Sequence, residues 1–236
     1  YLHFYPHDYR TFFLIAFLPG IASVALLYLL KEKKVHVAKV QSGNFFSYFS
    51  YWKIASPEYR KLVTGLVLFA LFNSSDIFLL LRTKDITGSN EMSIMAYVFY
   101  NLIYALASYP MGVLADRLGT KKVLVTGLVF FAVTYAGFAM ATNTWTIFAL
   151  FFVYGLYAGA TDGVGKAWIT NLANEGETAT AIGFFTSCQS ICTLLASIIA
   201  GVIWDGFGAA ATFAVSAAAA VGVAMYLRWA IRSPRG

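Results

Sequence analysis

The sequence predicts an all-α membrane protein of seven transmembrane helices, and three observations carry that prediction. The 236 residues are 59% hydrophobic and 12% charged, about half the charged share of soluble domains, with a mean hydropathy of +0.68. Seven apolar stretches lie at 11–30, 62–81, 92–114, 121–141, 145–171, 178–203 and 209–231. Each is long enough, at about 20 residues, to cross a ~30 Å hydrocarbon layer as a helix, the form in which a spanning segment satisfies its own backbone. Finally, the basic residues sort by side. If successive loops are assigned to alternate sides, thirteen of the 17 Lys and Arg fall on one side, between Lys31 and Arg235, and three (Arg10, Arg82, Lys84) on the other, with Lys166 inside a span.

That asymmetry is the positive-inside pattern. It predicts a multi-pass protein of the plasma (inner) membrane with a cytoplasmic C-terminus. The net charge of +6 therefore reports topology and not a nucleic-acid partner; the partner it implies is the lipid bilayer. The first span then has its amino end outside, and YLHFYPHDYR has neither a Met start nor a basic leader region, so earlier spans of a longer protein are expected.

The first span is followed by the one long polar segment, 31–61. Its middle, FFSYFSYWKI, mixes aromatics with Ser beside Lys, as an interfacial amphipathic helix does. Six spans joined by short loops follow. In the first of them FNSSDIF is expected to place Asn73 and Asp76 on one helix face, three residues apart. In the second, Tyr97, Asn101, Tyr104 and Ser108 recur at helical spacing. In the fourth, Tyr154, Tyr157, Thr161 and Asp162 do the same, and in the fifth Thr186, Gln189 or Ser190, Thr193 and Ser197.

The third and sixth spans are nearly featureless, with too few polar groups to line water. The order polar, polar, bland thus occurs twice, with an intramembrane acid, Asp76 or Asp162, on the first helix of each triplet. Two three-helix units in opposite topology give this pattern, although Ser, Thr and Tyr also glue membrane helices together without lining a path.

The loop after the second span of the block reads GVLADRLGTKKV. Gly112, Asp116, Arg117, Gly119, Lys121 and Lys122 fit G-x-x-x-D-[RK]-x-G-x-[RK]-[RK] at every specified position. Here Gly112 suits a close helix approach, Gly119 a tight reversal, Asp116 a helix cap, and the two lysines a cytoplasmic loop. The pattern resembles the cytoplasmic loop signature of the major facilitator superfamily of secondary transporters. NSSDIFLLLR, GLYAGATDGVGKAW and GVIWDGFG also resemble an uncharacterised prokaryotic group within it.

The resemblance implies that residues 1–30 are the last helix of an N-terminal half, 31–61 a cytoplasmic central loop and 62–236 a C-terminal six-helix transporter domain of two inverted three-helix repeats. The missing N-terminal half would be a partner from the same chain. By the family's layout the first helix of each repeat lines the central cavity, so Asp76, Asn73, Asp162 and Lys166 become the candidates for transport and coupling. Tyr97, Asn101, Tyr104, Tyr154, Tyr157, Thr161, Gln189 and Thr193 become the cavity-lining candidates, and the six signature residues the gating loop. The implied activity is secondary active transport of a small-molecule substrate, an organic solute, by alternating access with proton coupling; the alternative is a nontransporting sensor or scaffold on the same fold.

Asp162 and Lys166 are one turn apart, and two readings stay open for them. They form a self-neutralising i to i+4 pair, or Asp162 loses Lys166 in one state and takes a proton. Asp76 has no basic residue within a turn, Arg82 lying six positions on; an unpaired intramembrane acid is a functional candidate by default.

No cofactor or metal is expected. Cys188 and Cys192 share one helix at a spacing poor for a disulfide, and His3, His7 and His36 fall in loops. No span holds a His, and neither H-E-x-x-H nor C-x-x-C occurs, which argues against a membrane-embedded enzyme. The glycines at 155, 159, 163 and 165 follow no strand, which argues against a nucleotide loop, and they read as packing or bending positions.

Overall fold

The structure, a computed structural model, describes residues 9–27, 47–174 and 176–231. The expectations placed on 31–46, on His3, His7 and His36 and on 232–236 lie outside the described residues. The chain divides into two units, 1–40 and 41–236. The first holds α1 (Tyr9–Leu27), a 19-residue apolar helix with Pro19 inside it, about 28 Å long at ~1.5 Å per residue.

The second unit begins with α2 (Ser47–Ile54) and α3 (Pro57–Phe72). Ser56 caps α3 by accepting the Tyr59 N–H at 3.2 Å, and Pro57 supplies the first helical position, where its missing N–H costs nothing. The helix therefore starts five residues before the predicted span. Residues 57–61 belong to it and not to the loop, because Tyr59 is fully buried and its hydroxyl donates to the Ala181 carbonyl at 2.8 Å.

The predicted first helix of the block is broken. α3 ends at Phe72, Asn73 leaves helical geometry (φ −90°, ψ 86°), and α4 (Ile77–Thr87) restarts behind Asp76. Asn73 and Asp76 thus do not share a continuous helix face, as the sequence led us to expect; they flank a break. Ser, Asn and Asp compete with the backbone ladder for hydrogen bonds, and four of them in a row undo it. The Ser75 N–H finds Ser197 Oγ at 3.3 Å and Ile77 N–H finds Ser75 Oγ at 3.4 Å, as freed backbone groups at membrane depth require.

α5 (Asn90–Leu118), α6 (Thr120–Met140) and α7 (Thr144–Leu172) follow with short connections. Gly119, at φ 93°, makes the reversal between α5 and α6. α8 (Thr178–Ala230) has 53 residues, too long for one ~30 Å core. It breaks at Gly208 (φ 83°, ψ 171°), leaving limbs 178–207 and 209–230 that correspond to the last two predicted spans. α3 with α4, then α5, α6, α7 and the two limbs of α8 make six crossings. With three crossings per repeat, the second repeat necessarily enters from the opposite side.

α5 packs on α7, α6 on α7 and α8, and α3 on α8. The α5–α7 contact relies on small residues: a Cβ on Gly155 would meet Ile103 Cβ at 2.7 Å, and one on Gly159 would meet Ala107 Cβ at 3.0 Å. Gly163, by contrast, faces open space, and Gly165 makes only ordinary contacts. Phe131, Tyr135, Phe138 and Phe213 pack between α6 and α8 at the centre of the core.

Lys121 is part of this packing. Its Nζ donates to the Arg228 carbonyl at 2.8 Å and to the Ile231 carbonyl, capping the end of α8 with a cation as the helix dipole favours. Lys121→Met is expected to destabilise the protein by about 1–3 kcal/mol, read as a lower melting temperature in detergent. An unchanged melting point would mean the clamp carries no stability.

Candidate functional site

Two carboxylates, one from each repeat, each take a tyrosine hydroxyl from the other repeat. At the break, the Tyr154 hydroxyl of α7 donates to Asp76 Oδ1 at 2.6 Å. The Tyr104 hydroxyl of α5 donates to Asp162 Oδ2 at 3.0 Å. A third link ties Asn73 Nδ2 to the Tyr157 hydroxyl at 3.2 Å. The tyrosines support one another through their rings: Tyr100 to Tyr154 at 4.8 Å, Tyr154 to Tyr157 at 5.2 Å, and Tyr100 parallel to Tyr104 at 6.3 Å.

The local sequence explains this placement. On α7 Tyr154 and Tyr157 are buried while Asp162 is exposed, and four-residue steps bring Thr161 and Gly165 onto the face of Tyr157. A cavity of about 280 Å³ opens beside them, its polar wall made by Asn73, Tyr157, Thr161, Asp162, Lys166 and Gln189. Four helices thus contribute to one pocket, with Leu124 and Leu128 of α6 as its apolar back. The remaining candidates lie elsewhere. Tyr154 is in the core behind Asp76; Tyr97, Asn101 and Tyr104 sit along α5, with Asn101 Nδ2 donating to the Tyr97 carbonyl at 2.8 Å; and Thr193 accepts Ser197 Oγ on its carbonyl.

Asp162 and Lys166 are not paired. Asp162 takes Tyr104, and among the described residues no ion pair reaches Lys166. Arg82 is likewise committed away from Asp76, donating to the Phe138 and Ala141 carbonyls at the end of α6 at 3.4 and 3.2 Å. Among the described residues Asp76 therefore has a hydroxyl and no cation as its partner.

Among the described residues, Asn73 Oδ1 in the break and Thr134 Oγ1 of α6 are buried without a hydrogen-bond partner, while Ser74 of the break lies against the Tyr135 hydroxyl of α6. Sequence reasoning passed over Ser74, Thr134 and Tyr135. α6 reads as bland because its two buried polar side chains, Thr134 and Tyr135, are adjacent and form no stripe; the VTY within VLVTGLVFFAVTYAGFAMA was the available signal.

The loop motif forms a separate cavity of about 540 Å³, with Asp116, Arg117, Gly119 and Lys121 on its wall beside Glu58 and Trp168. Two expectations are corrected there. A Cβ on Gly112 meets nothing within 4 Å, so it marks no close approach among the described residues. Asp116 lies inside α5, and the N-cap of α6 is Gly119 without a side-chain bond, since the reversal comes three residues after the acid. Lys122 is exposed.

A family model, described as Major Facilitator Superfamily, matches residues 66–236, well over half of the chain. The chain belongs to the Major Facilitator Superfamily. It is a multi-pass membrane protein, and its relatives in the superfamily are transporters. It is 30% identical over 204 residues to an uncharacterized MFS-type transporter of Methanocaldococcus jannaschii, covering 84% of this chain and 50% of the relative. It is 25% identical to sugar efflux transporter A of Dickeya chrysanthemi, covering 55% of this chain and 32% of the relative.

Among solved structures of the superfamily, the crystal structure of the E. coli fucose:proton symporter FucP superposes with a TM-score of 0.67 at 12% identity. That match covers 90% of this chain and 53% of the symporter, and at such identity it speaks for the fold. The chain spans about half the length of the superfamily relative from Methanocaldococcus and smaller shares of the others.

Proposed function

We propose that this chain is the C-terminal part of a secondary active transporter that moves a small organic solute by alternating access, coupled to protons. In this reading 1–30 is the last helix of an N-terminal half, the segment up to Ser56 a cytoplasmic central loop, and the six crossings from Pro57 onward one wall of the transport cavity, in an inner membrane with the C-terminus in the cytoplasm. The observation that supports it best is the broken helix at 73–76 with Asp76 at its end, held by a tyrosine of the other repeat. Discontinuous helices facing a cavity are where membrane carriers bind ions and solutes.

The chemistry gives a switch. An ionised carboxylate only accepts hydrogen bonds, whereas a protonated one also donates. Protonating Asp76 adds a donor, and Asn73 Oδ1 in the break holds unused capacity to accept one. The partner exchange would alter how α3 and α7 meet at the break, and both of those helices carry residues of the cavity wall. Asp162 and Lys166 would contact the solute or a second proton, being exposed and unpaired with each other.

The test is proton movement in inverted vesicles that contain the full-length protein, challenged with organic cations, organic anions, sugars and peptides. Wild type is expected to move protons with one class. Asp162→Asn is expected to retain flux but with a changed pH dependence; an unchanged dependence removes Asp162 from coupling. Silence of folded wild type across the whole panel would favour a nontransporting sensor.

A further inference from the structure

On the face of α3 opposite the acid-bearing cavity, the structure has a second, apolar recess of about 400 Å³. Its lining is Trp52 of α2, Val63, Thr64, Val67 and Leu68 of α3, and Phe184 with Cys188 of α8. The volume is within the range of pockets that hold apolar ligands. Trp52 roofs one end, its ring stacked on Phe184 at 5.7 Å. Leu68 and Ile54 are exposed to the surroundings, at 43% and 60%.

The end of the recess at α2 is basic. Lys53 follows Trp52 on α2, and Lys61 lies one turn before Thr64 on the same stripe of α3. Both lysines are exposed, and neither has an ion pair or a side-chain hydrogen bond among the described residues; nor does the Trp52 indole N–H donate to any of them. Arg60 is differently used. Its Nε and Nη2 donate to the Ala55 and Lys53 carbonyls at 3.0 and 3.2 Å, which fixes the end of α2 against the start of α3. Glu58 points instead into the cavity at the α5–α6 loop, so it does not neutralise this rim.

We propose that this recess binds one anionic phospholipid, its acyl chain lying along Val63, Val67 and Leu68 and its phosphate between Lys53 and Lys61. The chemistry fits each end: apolar walls for hydrocarbon, two free ammonium groups for the headgroup, and an indole at the level where tryptophans accept a polar neighbour on one edge and hydrocarbon on the other. The site is separate from the acid–tyrosine pairs and does not depend on which solute the protein moves.

Quenching by brominated lipid tests it in the full-length protein reconstituted in phosphatidylcholine vesicles. The fluorescence assigned to Trp52 is the difference between wild type and Trp52→Phe, a change that keeps the ring contact with Phe184. Brominated phosphatidylglycerol, added as a minor component, is expected to quench that signal at roughly tenfold lower mole fraction than brominated phosphatidylcholine, the preference that two surface lysines confer. The double variant Lys53→Gln, Lys61→Gln is expected to lose the preference while phosphatidylcholine still quenches. Equal quenching by both lipids in wild type would reduce the recess to ordinary lipid-facing surface, and no quenching by either would mean that protein covers it; both results overturn the proposal.

Discussion

Asp76→Asn is expected to lower proton-coupled flux by roughly a hundredfold or more, the scale of losing an intramembrane acid on which the step depends, while the protein keeps its fold. The two effects separate because of the geometry at the break. Asn presents a carbonyl oxygen where Asp76 Oδ1 accepts the Tyr154 hydroxyl at 2.6 Å, so the contact between repeats survives, yet the amide cannot bind and release a proton. Tyr154→Phe should behave in the opposite manner. It retains the acid but strips its partner, costing about 1–3 kcal/mol of stability with coupling preserved. Flux at each pH, set beside melting temperatures of both variants, checks the pair; wild-type coupled flux in Asp76→Asn would remove the acid from the mechanism.

Gly155→Val is expected to be the most damaging packing change in the second unit, at about 3 kcal/mol or more. A Cβ there would stand 2.7 Å from both Ile103 Cβ and Ile103 Cγ2 and 3.1 Å from the Tyr100 carbonyl oxygen. Two of those atoms are on or next to backbone and cannot swing aside, so α5 and α7 must separate. Separation would also draw the Tyr104 hydroxyl away from Asp162, since the two helices carry that hydrogen bond. Gly163→Ala, two turns along α7 with nothing within 4 Å, should instead be neutral or gain up to ~1 kcal/mol from helix propensity. Monodispersity and thermal unfolding in detergent read both variants, and a Gly155→Val protein as stable as wild type would show that the α5–α7 contact is not tight.

The candidate site was legible in part. Asp76 and Asp162 stand out in apolar runs because ionisable groups are costly in hydrocarbon, and a single residue of that kind needs no neighbour to be noticed. The tyrosines of α5 and α7 were visible as stripes, but which acid each would meet was not. Nor was the break at 73–76 foreseen, although its cause, Asn-Ser-Ser-Asp, is local. A hydropathy window averages about 20 residues and a four-residue interruption barely lowers it. Lys121 read as a loop charge and proved to be a clamp on α8, because its partners lie more than a hundred residues away.

The sequence by itself determined the all-helical class, the apolar segments long enough to cross a bilayer and the grouping of polar helices into two repeats. Hydropathy, loop charge and helical period are properties of one segment at a time, and the bilayer reads them without reference to the rest of the chain. Only the tertiary structure decided that Asp162 meets Tyr104 in place of Lys166, that Asp76 meets Tyr154, and that Gly155 seats α7 against α5. Those contacts depend on the relative rotation and depth of helices packed side by side, which are set by interlocking surfaces and leave no period in any single segment.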